Sequence, residues 1–242
     1  MKIGMVRNAS FYLLSFCFLF VMGGCLKSVD PPQAEPAKAY VSIMHLAPTA
    51  PALDVYFDSK KVSNSAFAPG NVTVAYNAVE RGTFSIVFKK SATDSVVSSV
   101  TPALYDSLNF YTVYLYNAQP NGPVTAVRIK DDFSMLTTSN SFIRFFHASP
   151  DTDAIDFYID NAKVESGRAQ ADNIPSGFYN NFTSLTAGVH SFQVKQAGTS
   201  TVLASLDNLD LAAGNAYTFY LRGLKNGTGT NQLSLAVLRA VN

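Results

Sequence analysis

The sequence predicts an all-β chain of two tandem β-sandwich domains, and three observations carry that prediction. A motif near residue 45 returns about a hundred residues later, short strand-like segments alternate with turn residues, and the composition favours strands over disorder. Of the 242 residues, 48% are hydrophobic and only 14% are charged, with 18 Phe and 12 Tyr. A disordered chain is poorer in such residues, so this one can build a core. Eighteen Lys and Arg against 17 Asp and Glu give a net charge of +1, and nothing in that balance points to nucleic acid or an anionic membrane face.

The repeat is the strongest element. Ile43-Met44-His45-Leu46-Ala47-Pro48 corresponds to Phe145-Phe146-His147-Ala148-Ser149-Pro150, and Leu53-Asp54-Val55-Tyr56-Phe57-Asp58 to Ile155-Asp156-Phe157-Tyr158-Ile159-Asp160. Both pairs are offset by 102 residues. Further on the offset becomes 106, with Gly82 matching Gly188 and Tyr111-Thr112-x-Tyr114-Leu115 matching Tyr217-Thr218-x-Tyr220-Leu221. Near the end Ala126-Val127 aligns with Ala236-Val237 at 110. Offsets that grow in small steps place a few extra residues in loops of the second copy and leave the strands in step.

Within the second copy the predicted strands are Phe142 to Phe146, Ile155 to Ile159, Gly177 to Phe182, Val189 to Lys195, Val202 to Leu206, Ala216 to Leu221 and Leu233 to Leu238. They are short, rich in β-branched and aromatic residues, and bounded by Pro, Gly, Asn and Asp. Asp58-Ser59 and Asp160-Asn161 sit where tight hairpin turns belong. Ser205 to Ala213 reads as a helical turn. Seven or so strands in about 100 residues fit an immunoglobulin-like sandwich, and without the Cys-Trp-Cys core only the architecture carries over. The expected domains are residues 39–133 and 141–242, with the border near Asp131 to Ser141.

The N-terminus reads as a targeting segment. Lys2 and Arg7 precede an apolar stretch, Phe11 to Met22, of a length that suits a signal peptide and is too short to span a bilayer. The run Val21-Met22-Gly23-Gly24-Cys25 resembles the lipobox of bacterial lipoproteins, although Met22 stands where Leu is usual. That resemblance implies residues 1–24 as signal peptide, acylation of Cys25, and 25–38, with Pro31, Pro32 and Pro36, as an extended tether. The alternative is an ordinary secretory signal cut near Gly24, which leaves a free thiol. Cleavage before Cys25 leaves 218 residues, one Cys, and 16 basic against 17 acidic groups, so the mature chain has no intramolecular disulfide. The expected location is the cell envelope, lipid-anchored at the outer membrane, with the face left open.

The box His147-Ala148-Ser149-Pro150-Asp151, followed by Ile155 to Asp160, resembles a domain-of-unknown-function family common in bacterial envelope proteins. Its copies open with His-Ala-Ser-Pro-Asp-Ala-Pro and continue through a Val-Asp-Val-Tyr-x-Asp-Gly strand and turn. The first copy keeps His45, Pro48, Asp54, Tyr56 and Asp58. The resemblance implies an extracytoplasmic β-sandwich module and no activity.

Chemistry in the box is weighed residue by residue. His147, Ser149, Asp151 and Asp156 are residue types of a nucleophilic triad, but Ala47 and Thr49 replace Ser149 and Asp151 in the first copy. Zinc needs three or four ligands and each copy offers fewer. Asp151, Asp153 and Asp156 are rich in oxygen but lack the spacing of a known calcium loop. The favoured reading is structural: His45, Asp54, Asp58, His147, Asp151, Asp156 and Asp160 form a repeated polar box. In it each His bonds the following loop or the Asp of the next strand. His190 has no counterpart in the first copy and reads as a solvated-face residue. The aromatic runs at Phe110 to Tyr116 and Tyr217 to Tyr220 read as core rather than as sugar platforms. The expectation is a non-enzymatic envelope protein with no cofactor or metal, held to a membrane by its lipid. It either binds a glycan or protein as a surface adhesion module or serves as a structural subunit of an envelope assembly. A hydrolase or metal-binding protein is the weaker reading.

Overall fold

A computed structural model describes residues 36–173 and 177–241. The signal segment, Cys25 and nearly all of the tether therefore lie outside the described residues. The first copy consists of β1 (Ala39–His45), β2 (Leu53–Phe57), β3 (Lys60–Lys61), β4 (Asn77–Val79), β5 (Gly82–Lys90), β6 (Val96–Tyr105), β7 (Phe110–Asn117) and β8 (Val124–Asp131). The second consists of β9 (Asn140–His147), β10 (Ile155–Ile159), β11 (Ala162–Arg168), β12 (Thr183–Thr186), β13 (Gly188–Gln196), β14 (Val202–Leu211), β15 (Ala216–Arg222) and β16 (Ser234–Val241). Each copy is a sandwich of two four-stranded sheets. The orders are β4-β1-β7-β8 over β3-β2-β5-β6, and β12-β9-β15-β16 over β11-β10-β13-β14. The pairs β1–β7 and β9–β15 are parallel at the centre of their sheets, so the architecture is that of a sandwich with its own strand order.

Alternation explains which face each strand buries. In β2, Leu53 and Val55 enter the core while Asp54 and Tyr56 face outward; β10 repeats this with Ile155, Phe157, Asp156 and Tyr158. The two cores differ in filling. Ile43, Val55, Ile86 and Val113 of the first copy occupy the places of Phe145, Phe157, Phe192 and Phe219 in the second. Phe157 stacks on Phe145 at 4.5 Å, and Phe192 meets Phe219 at 4.1 Å.

Three sequence readings are corrected. Gly177 to Phe182 is no strand: Phe178–Asn180 form a 3-10 turn, and β12 starts at Thr183. Side chains hold that turn, because Asn173 donates to the Tyr179 carbonyl and Arg144 to that of Asn180. Ser205 to Ala213 is no helical turn, since β14 runs through to Leu211. A register shift inserts one residue near Asn208, whose φ is +55°, so Leu206 and Leu209 both face the core three residues apart. Finally, the last strands align at 109 rather than 110. Tyr114 pairs with Val127 and Tyr220 with Ala236, a one-residue difference that decides which face each side chain takes.

The copies pack against each other rather than hanging as separate beads. Met44, Leu46, Tyr114 and Ile129 of the first meet Phe146, Ala148, Tyr220 and Leu238 of the second in one apolar cluster, and the same positions are used from each side. The connecting segment folds onto this contact, with Phe133 and Leu136 against Phe142, Phe182 and Ala216. Inside it lies a polar knot. The Arg144 guanidinium donates to Asp131 at 2.5 Å, Thr112 at 3.0 Å and Thr218 at 2.9 Å, while Tyr76 and Thr112 each donate to the other Asp131 oxygen at 2.7 Å. Arg144 and Asp131 are both buried, so this ion pair is shielded from water.

Candidate functional site

Apart from Asp151, whose place Thr49 takes in the first copy, the box residues occupy the same places in both copies, and each is bound into the sandwich. His45 and His147 end β1 and β9, pointing between the sheets. A carbonyl can only accept, so Nε2 carries the proton: it donates to the Pro51 carbonyl at 3.1 Å in His45 and to that of Asp153 at 3.3 Å in His147. The following loop, not Asp54 or Asp156, is therefore their partner. Burial holds both imidazoles below the ordinary histidine value near 6.5, with the loop carbonyl opposing it.

The strand carboxylates are clasped by other elements. Asp54 accepts from Lys61 at 2.9 Å, from the Ala92 amide at 3.1 Å and from Ser91 at 3.3 Å, and these donors lower its pKa, Lys61 foremost. Asp156 accepts the amides of Gly167 at 2.9 Å and Gly198 at 3.2 Å, with Lys163 and Ser166 completing the set. Its pKa is pulled down to about 2, the Gly167 amide contributing most. Gly198 adopts φ +71°, and Ala92, its counterpart, takes φ +60° to deliver the equivalent amide. Asp58 and Asp160 sit in the hairpin turns at φ near +50° and reach across to Ser85 and Ser191. Asp160 also bonds His190 Nδ1 at 2.6 Å, so His190 is half-buried and partnered rather than solvated. Asp151 accepts the Lys225 amide at 2.9 Å and ties the box to the loop after β15.

The arrangement does not assemble reacting groups. Ser149 Oγ bonds Thr152 at 2.7 Å and lies 3.3 Å from Asp151, while His147 Nε2 faces a backbone carbonyl, so Ser149 and His147 are not joined. Asp151 and Asp156 bind different loops, and among the described residues no group of three His, Cys, Asp or Glu side chains could hold a metal ion. What the box does is fasten β2 to β5 and β10 to β13 at their ends.

Folding stability should register the two histidines. Because their folded-state values are depressed, the unfolded chain binds more protons below pH 6.5, and stability falls as the pH drops through that window. The Asp156 contribution is present above its ordinary value of 3.8 and is lost as the pH falls from there through about 2. Urea midpoints at pH 7.5 and pH 5 check this: wild type loses stability on acidification, and a His45→Asn/His147→Asn chain loses distinctly less. An equal loss in both chains would refute the assignment.

The open feature lies elsewhere, at the edge of the first sandwich. Between β4 and β3 a cleft of about 870 Å³ reaches inward to Val41, Ile43 and Val55, flanked by Phe57, Val79 and Phe84. The corresponding groove of the second copy is about 510 Å³ and is bordered by the long β11 and by Tyr179, which lies over Arg168 at 3.7 Å. No residue pattern in the sequence marked this cleft. The signal for it was the change of offset from 102 to 106, which places four extra residues between β11 and β12.

Fold and box together define an all-β protein of two sandwich repeats sharing one structural motif. Residues 39–158 and 141–239 match the model of the domain of unknown function DUF4397, and the chain belongs to that family. No curated protein matches the chain.

Proposed function

We propose that this is a non-enzymatic binding module of the cell envelope, anchored through a lipid on Cys25 and carrying its ligand site on the tandem sandwich. One observation carries the reading: apart from the buried Nδ1 atoms of His45 and His147, the repeated polar box is bonded within the fold, while the first sandwich keeps a large apolar cleft open. The leader, the lone Cys of the mature chain and the Pro-rich tether support the envelope location.

Biotin labelling of intact cells, with a Cys25→Ser chain beside the wild type, tests this. Labelled wild type with a released or mislocalised variant supports the anchored, displayed module. Identical fractionation of both chains refutes the anchor. Protection of wild type in intact cells, with labelling only after lysis, favours a structural role inside an envelope assembly instead.

A further inference from the structure

We infer that the cleft of the first sandwich binds a single-chain anionic amphiphile of the fatty-acid class, tail between the sheets and carboxylate at Lys60 and Arg81; this rests on the binding-module reading above. The fold is built twice in one chain, so each half serves as a reference for the other. In the second copy Phe145 and Phe157 stack in the core, while the first copy has Ile43 and Val55 there, and both line its cleft. Opposite Ile155 the second copy places Arg168, ion-paired with Glu165 and Asp172; opposite Leu53 the first copy places Phe67. Smaller residues at these two positions and an uncharged side thus leave an apolar slot larger than the groove of the second copy. Its volume of about 870 Å³ lies within the ~300–1,000 Å³ of small-molecule sites.

Charge at the mouth selects the head group. Asp58 is satisfied by the amide and hydroxyl of Ser85, and Glu80 by Lys38. Lys60 and Arg81, both exposed at the rim, have no hydrogen-bond or ion-pair partner among the described residues. Ser85 bonds Asp58 without neutralising it, so Lys60 and Arg81, with Glu80 paired to Lys38, leave the rim a net charge of +1 above an apolar slot. An added peptide strand fits less well. The edges β3 and β4 have two and three residues, and the β2 backbone is already bonded to residues 62–67.

The test is calorimetric titration of the full chain carrying Cys25→Ser with dodecanoate, dodecanol and dodecyltrimethylammonium below their micelle limits. Dodecanoate should bind one to one and saturate. Ile43→Phe/Val55→Phe, which installs the second copy's residues, should weaken it by about tenfold or more while the chain stays folded by circular dichroism. Lys60→Glu/Arg81→Glu, confined to exposed positions, should weaken dodecanoate by about tenfold and leave dodecanol unchanged. Absence of saturable dodecanoate binding, equal binding by the folded Phe variant, or equal binding of the cationic analogue would each overturn the inference. If dodecanoate fails while the chain still binds a purified envelope glycan, only the ligand class falls; if both fail, the binding-module reading falls with it.

Discussion

Replacing Arg144 with Met is expected to cost about 3–5 kcal/mol of folding stability, because it strands a buried carboxylate. Asp131 lies at the contact between the copies with Tyr76 and Thr112 as its remaining donors, and neither carries a charge to balance it. Asp131→Leu should cost a similar amount by leaving the guanidinium uncompensated, although it stays stacked on Phe182 at 4.3 Å. The double replacement, Arg144→Met with Asp131→Leu, should cost less than either single change, since no unpaired charge is left behind. Urea unfolding of the four chains forms a double-mutant cycle. Additive losses, or a single-variant loss under about 1 kcal/mol, would show that the pair does not hold the contact.

A second large effect is expected in the aromatic core. Phe157→Ala removes the ring that stacks on Phe145 and approaches Phe192 and Phe219 at 6.1 and 6.0 Å, and should cost about 3–5 kcal/mol. At the equivalent place, Val55→Ala should cost about 2 kcal/mol or less, because fewer methyl groups are lost and the site already borders open space. Thermal unfolding of the two variants decides this, and equal losses would contradict the difference in filling between the cores.

Much of this architecture was legible in the residues. Strand alternation and turn chemistry gave the tandem sandwiches, because the inward residues of β2 and β10 keep period two across both copies. Where a bulge at Asn208 broke that period, Leu206 and Leu209 imitated a helix. The turn at Phe178 was misread because its geometry depends on Asn173 and Arg144, which reach it from other parts of the chain. Arg144 itself carried a signal: a cation within the apolar run Phe142 to Phe146 requires a buried partner, and Ser42 in the first copy does not. Which partner it takes is long-range information, as is the loop carbonyl chosen by His147 over Asp156. The cleft left only an indirect trace, the change of offset, because it is made by what Ile43 and Val55 fail to fill.

The contact between the copies has a consequence for how it can vary. Met44 and Phe146, Tyr114 and Tyr220, Ile129 and Leu238 enter it from equivalent places, as in an isologous dimer. In a homodimer every substitution at such a face happens twice, so a lone buried cation would be duplicated against itself. Joining the halves in one polypeptide lifts that restriction. Arg144 faces Asp131 while Ser42, its equivalent, bonds Thr73, and the halves are free to specialise without losing their common face.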